Sequence, residues 1–217
     1  MIRRRLPLSG PPRAAASAAL ALATVACSAL APVPVETPVR HVLDATPAIA
    51  ASATARPLVL EVGAPRAAPG FDTAAIAYVQ RPATLDHFAV HRWVDSPAKM
   101  LGPLLVRALE ATGAFKAVVR DAPGVGTDLR LDTEVVRLQQ SFLTRPSRVE
   151  LALRVQLVDV GARRIVATRV VEVVRDAPSD DPVGGGLAAN AALASALEEV
   201  AAFCVTASAA VAPRAAP

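Results

Sequence analysis

Two stretches of this chain alternate so strictly that they can fold only as long, half-buried strands. Asp128-Leu129-Arg130-Leu131-Asp132-Thr133-Glu134-Val135 switches between charged and less polar residues at every step. Val149, Leu151, Leu153, Val155 and Leu157 recur with the same period. Successive strand side chains point to opposite faces, so a period of two puts one row in a core and the other in water. Asp159-Val160-Gly161-Ala162 supplies a hairpin turn into a third run, Ile165 to Val174. The alternation slips near Val135-Val136 and near Val170-Val171, which predicts bulges there.

The rest of the body fits around this meander. Leu58 to Val62, Ile76 to Val79, Phe88 to Trp93 and Phe115 to Val119 are short runs rich in β-branched and aromatic residues, which predicts four further strands. Ser96-Pro97 is a helix start, followed by Met100, Leu101, Leu104, Leu105, Ala108 and Leu109 at helical spacing and by Gly113 as a stop. Pro103 removes one intrahelical bond, so the helix either kinks there or has its regular part begin there. A second helix is predicted from about Val183 or Leu187 to Thr206. Its stripe would run through Leu187, Asn190, Ala194, Leu197, Ala201 and Cys204. The order β-β-β-α-β-β-β-β-α is an α/β (α+β) single domain, with two main helices on a mixed, largely antiparallel sheet.

The amino terminus speaks to location. Arg3, Arg4, Arg5 and Arg13 precede an apolar run, Ala14 to Ala26, that ends in Thr24-Val25-Ala26-Cys27. A basic segment, a short apolar segment and small residues before a cut describe a secretory signal peptide. The run is shorter than the about 20 residues a membrane-spanning helix needs. A cysteine opening the mature chain points to a bacterial lipoprotein acylated at Cys27, although Thr24 stands where such motifs usually carry Leu. Cleavage after Ala26 without acylation is the plainer alternative. The expected organisation is a signal peptide over 1–26, a lipidated Cys27 with a Pro- and Ala-rich tether over 27–56, a folded body over 57–206 and a disordered tail over 207–217.

Charge then excludes one class of function. Four of the 23 basic residues leave with the signal peptide and no acid does, so the remaining 19 balance the 19 acids. A nearly neutral chain has no electrostatic footprint for nucleic acid. Cys27 and Cys204 are the two cysteines. Acylation of Cys27 leaves Cys204 without an intramolecular partner, so a hydrophobic core must hold the body together.

No catalytic constellation emerges. His87 and His91, with Asp86 and Asp95 nearby, raise a metal site, but spacing of four gathers ligands on a helix and this segment reads as a strand. His41 falls in the tether. Gly184-Gly185-Gly186 lacks the Lys-Ser/Thr of a phosphate loop, and Asp180 and Asp181 upstream would repel phosphate, so it reads as a flexible loop entering a helix. Cys204 sits in an apolar stretch that packing explains. The chain is expected not to be an enzyme, with no cofactor and no metal.

The body resembles the ABC-type transport auxiliary lipoproteins, of the PqiC/YmbA kind. The resemblance rests on ordered segments: Gly70-Phe71-Asp72-Thr73 into Ile76-Ala77-Tyr78-Val79, and Leu85-Asp86-His87-Phe88-Ala89 into Trp93-Val94-Asp95-Ser96-Pro97-Ala98. Met100-Leu101, Leu104-Leu105, Ala108-Leu109-Glu110 and Gly113-Ala114-Phe115-Lys116-Ala117-Val118 follow. Asp128-Leu129-Arg130-Leu131, Pro146-Ser147-Arg148-Val149 and Ala188-Ala189-Asn190-Ala191 complete it. It implies a fold similar to the N-terminal domain of TolB and no catalytic residues. It also implies an outer-membrane-anchored periplasmic lipoprotein that works with an MCE-domain protein, an ABC permease and its ATPase in moving phospholipids or other apolar molecules. Ser28 after the cysteine is compatible with outer-membrane sorting. Docking at the membrane is the leading role. A carrier that binds a lipid or apolar solute itself is the alternative, and it requires an apolar pocket of several hundred Å³. A homo-oligomer is compatible with either role. Tyr78 and Trp93 are candidate interface anchors, with burial in the core as the competing reading.

Overall fold

The computed structural model describes residues 36–52, 54–121 and 126–212. Pro38–Pro217 forms one compact unit. Its strands are β1 (Val39–His41), β2 (Arg56–Val62), β3 (Arg66–Ala67), β4 (Ala75–Val79), β5 (Asp86–Trp93), β6 (Phe115–Arg120), β7 (Leu129–Ser141), β8 (Arg148–Asp159) and β9 (Arg164–Asp176). The helices are α1 (Pro97–Ala111) and α2 (Pro182–Ala207), with a 3₁₀ turn at Ser208–Ala210.

The alternating stretches form the spine. β7, β8 and β9 are an antiparallel meander, paired from Leu129↔Asp159 to Ser141↔Arg148 and from Arg148↔Asp176 to Asp159↔Arg164. The buried row of β8 is Val149, Leu151, Leu153, Val155 and Leu157, which is the expected period. β7 runs on to Ser141, six residues past the alternation at Val135, because the bulge between Val135 and Arg137 resets its phase. The second bulge lies opposite Leu157/Val158 rather than near Val170-Val171. The valines at 170 and 171 keep their register. Val170 faces water at 54% exposure while Val171 is buried, so an apolar residue on the open face imitated a slip.

The other edge of β7 is shared. β2 pairs with its start at Leu60↔Leu129, β3 with its middle at Arg66↔Glu134, and β4 with its end at Ala77↔Gln139, all in parallel. A thirteen-residue strand is about 43 Å long at ~3.3 Å per residue, so three short strands fit along it in succession. Gly63 and Pro65 make the first break: a Cβ at Gly63 would come within 3.0 Å of Asp132 Oδ1. The sheet then forks, β6 adding to β2 and β5 with β1 adding to β4. The antiparallel ladders are the longest, but every pairing that the amino-terminal half makes with β7 is parallel.

Both helices cover one face. α1 begins at Pro97 with Ser96 before it and runs unbroken through Pro103. Of the two readings of Pro103, the late start is overturned, since the helix is already formed from Pro97. Pro103 is on the exposed face, where the carbonyl left without its bond can be hydrated. Leu101, Leu104, Leu105 and Leu109 point the other way into the core. α2 packs Ala189, Ala192, Leu193, Ala196, Leu197, Val200 and Cys204 against β8 and β9. The predicted stripe is right in its second half and wrong at its start, since Leu187 is 60% exposed.

Two boundaries move. The folded unit begins at Pro38 rather than at residue 57, because β1 joins the sheet and Leu43 and Ala45 are buried. At the other end Ser208 and Val211 are buried too, so the fold extends past residue 206. Cys27 lies outside the described residues.

Candidate functional site: the junction at the amino-terminal strap

Residues 42–52 form a strap that leaves β1 and crosses the helical layer. Extended segments with four prolines nearby make no helix of their own, so their backbone groups need outside partners. α2 supplies them. The Asp44 amide donates to Asn190 Oδ1 at 2.6 Å, Asn190 Nδ2 donates to the Val42 carbonyl at 2.9 Å, and the Ala48 amide donates to Glu198 Oε1 at 2.8 Å. The Ser52 amide donates to the Thr112 carbonyl at the end of α1, 2.7 Å away. Arg107 reaches Asp44 at 3.2 Å. The legible signal was Asn190, a polar residue inside an apolar helix that requires a partner.

The start of the strap is held at the amino terminus of α2. Asp181 is the N-cap, accepting from the amides of Val183 and Gly184, both at 2.8 Å. The Gly184 amide, then Ser179 and Val183, keep its carboxyl below the ordinary value, with His91 adding a favourable charge. Gly184, Gly185 and Gly186 are therefore the first turn of the helix and not a flexible loop. They are glycines because of what abuts them: a Cβ at Gly185 would collide with the Gln140 amide, and one at Gly186 would lie 2.9 Å from His41 Nδ1. Gln140 is itself fixed, donating to Ser147 Oγ at 3.0 Å and to the Asp181 carbonyl at 3.1 Å. Ser147 in turn donates its amide to Asp180 at 2.6 Å. The carboxylates expected to repel phosphate cap the helix and pin the β7–β8 connection.

His41 meets His91 here, Nε2 to Nδ1 at 2.9 Å, with Trp93 edge-on to His41. Burial, then the neighbouring His91, pushes the His41 imidazole below its ordinary 6.5. His87 is not part of this pair; its Nε2 is 3.2 Å from the Gly70 carbonyl. Asp95 holds the Ser96 amide and pairs with Lys99 at 3.2 Å. Among the described residues no group of three His, Cys, Asp or Glu side chains could hold a metal. Cys204 is buried, which pushes its thiol up to about 12, far from the thiolate a nucleophile needs.

The two aromatic candidates separate. Trp93 is core at 4% exposure, whereas Tyr78 is half-buried in a cluster with Phe88 at 4.4 Å and Phe142 at 6.1 Å between ring centres. Cavities discriminate as well. The apolar space between sheet and helices, lined by Leu101, Leu138, Leu153 and Leu193 among others, amounts to about 10 Å³. Two larger grooves lie beside the strap, about 310 Å³ along α2 and about 170 Å³ along α1, and a third, of about 290 Å³, is lined by Arg66, Asp121, Arg130 and Asp132. A drug-sized ligand takes a site of roughly 300–1,000 Å³, so the space between sheet and helices is too small for a lipid, whereas the groove along α2 reaches the lower end of that range.

Comparison with known proteins adds three findings. A family model described as "ABC-type transport auxiliary lipoprotein component" matches residues 41–203, a span that begins within β1. The crystal structure of protein XCC0632 from Xanthomonas campestris superposes with a TM-score of 0.71 at 22% identity, covering 79% of this chain and 97% of its own. A second crystal structure, of an uncharacterised protein, gives 0.61 at 14% identity over 77% and 99%. These likenesses establish a shared fold. No curated protein matches the sequence.

Proposed function

This chain belongs to the family of ABC-type transport auxiliary lipoprotein components, and from that premise we propose that it is a non-enzymatic docking component of an intermembrane lipid-transport system. In this reading Cys27 is acylated and holds the protein at the periplasmic face of the outer membrane. The folded unit binds an MCE-domain protein that works with an ABC permease and ATPase. Tethering raises the effective concentration of domain and partner without any new contact. The observation that carries the reading is the filled interior: the apolar space between sheet and helices is about 10 Å³, so a carrier would have to use the surface groove along α2. The strap supports it too, because it ties the chain following Cys27 to both helices.

Two measurements test this. Cys27→Ser should move the protein from washed membranes to the soluble periplasmic fraction, and unchanged membrane association would remove the anchor. Crosslinked pull-down from envelope membranes should recover an MCE-domain protein and its permease. Recovery of the chain alone, with stoichiometric lipid, would favour a carrier that opens the groove along α2.

A further inference from the structure

One end of the sheet carries two adjacent hairpin tips that set exposed leucines and arginines over a half-buried aromatic cluster. Val79, Ser141 and Arg148 lie in one row of register and Asp86, Tyr78 and Gln140 in the row before it, so the β4–β5 connection (80–85) and the β7–β8 connection (142–147) project side by side. The Phe142 amide donates to the Val79 carbonyl at 2.8 Å and ties the two together. Each tip exposes one leucine, Leu85 at 39% and Leu143 at 48%, beside an exposed arginine, Arg81 and Arg145. Beneath them Tyr78, Phe88 and Phe142 form the half-buried aromatic cluster, in a chain with seven aromatic residues in all.

We propose that these tips make a second, protein-borne contact with a lipid bilayer: the leucines and Phe142 enter the interface, and the arginines meet the headgroups. Amphipathic aromatic rings concentrate at the headgroup level and arginine stems reach from apolar to aqueous surroundings, so this residue mixture fits an interface better than a protein surface. Chain direction favours the same occupant. β1 runs parallel to β5, pairing Val39 with His91, so the chain reaches β1 from the side of the tips. Ten residues lie between Cys27 and Pro38; the eleven steps from one to the other span at most about 40 Å at 3.3–3.6 Å each, a reach that lets an anchored Cys27 and the tips meet the same bilayer. Asp86 on β5 and Asp180 facing Arg145 offset part of the basic charge, which leaves apolar insertion as the larger contribution. The contact does not require acylation. Alone it is weak and reversible, so it disperses on washing, and an acylated Cys27 would add a separate anchoring contribution.

The mature chain carrying Cys27→Ser removes the acyl contribution and can be sedimented with vesicles of phosphatidylethanolamine and phosphatidylglycerol. It should bind, and adding Leu85→Asp with Leu143→Asp should weaken binding at least tenfold, while Val170→Asp on the open sheet face changes nothing. Arg81→Glu with Arg145→Glu, which touches no buried side chain, should weaken binding severalfold at low salt. Absence of vesicle binding by the Cys27→Ser chain would overturn the proposal, as would binding that survives both tip variants. If those variants lost capture of the MCE-domain partner but kept vesicle binding, the tips would be a protein interface and the proposal would fail. Fractionation of Cys27→Ser alone tests the anchor separately.

Discussion

Gly185 shows how a single side chain can be decided by a neighbour distant in sequence. Alanine is intrinsically better in a helix than glycine by about 1 kcal/mol, so Gly185→Ala on an exposed helix would stabilise. Here the methyl group would collide with Gln140, whose amide is held by Ser147 and the Asp181 carbonyl and cannot swing aside. Gly185→Ala should therefore lower the melting temperature, which thermal unfolding followed by circular dichroism checks; a rise would mean that Gln140 yields. The three glycines were legible as a feature, but their reason was not. Without the fold, Gln140, forty-five residues upstream, carries no mark of its contact. His41 was equally opaque. Read as part of a tether, it proves to be the partner of His91.

At the scale of elements, β1 is the weakest join. It is three residues long, pairs with β5 alone, and rests on the His41–His91 contact. Burial holds His41 below its ordinary 6.5, so the folded state binds fewer protons than the unfolded one near that value. Stability thus rises with pH there, and it is lost as pH falls through 6.5 toward the folded value. Asp181, the N-cap of α2, faces His91, while Arg40 and Arg92 flank the pair. We expect amide hydrogens of β1 and the strap to exchange faster at pH 5.5 than at 7.5, after correction for intrinsic rates. His41→Asn should flatten the difference; an unchanged difference would place the titration elsewhere. The elements themselves were largely readable. Alternation marked β7 and β8 because one face of that sheet meets helices and the other water. β3, two residues long, offers no period to detect, and it exists because β7 has an edge to fill.

For the whole molecule, the consequence is where the fold begins. A chain started at Leu58 would omit β1, the strap and the buried Leu43 and Ala45. Burying one leucine is worth about 1.5–3 kcal/mol, and each kcal/mol moves the melting temperature by roughly 2–4 °C at this size. A chain started at Pro38 should melt cooperatively, and one started at Leu58 should melt at least several degrees lower. Equal melting temperatures would show that the strap adds nothing to the fold. The same scale resolves α2. It is long and apolar enough by length and composition to cross a membrane, yet its buried face packs on β8 and β9.

What the sequence determined by itself is what local physics writes along the chain: the strand period and the capped and punctuated helices. Those depend on residues within one or two turns of each other. The tertiary structure alone decided the rest: three strands sharing one edge of β7, a tether that becomes a strap, glycines chosen for a glutamine, and two leucines brought to one end. Each of these joins residues far apart in sequence, and a contact between distant residues leaves no periodic trace in either.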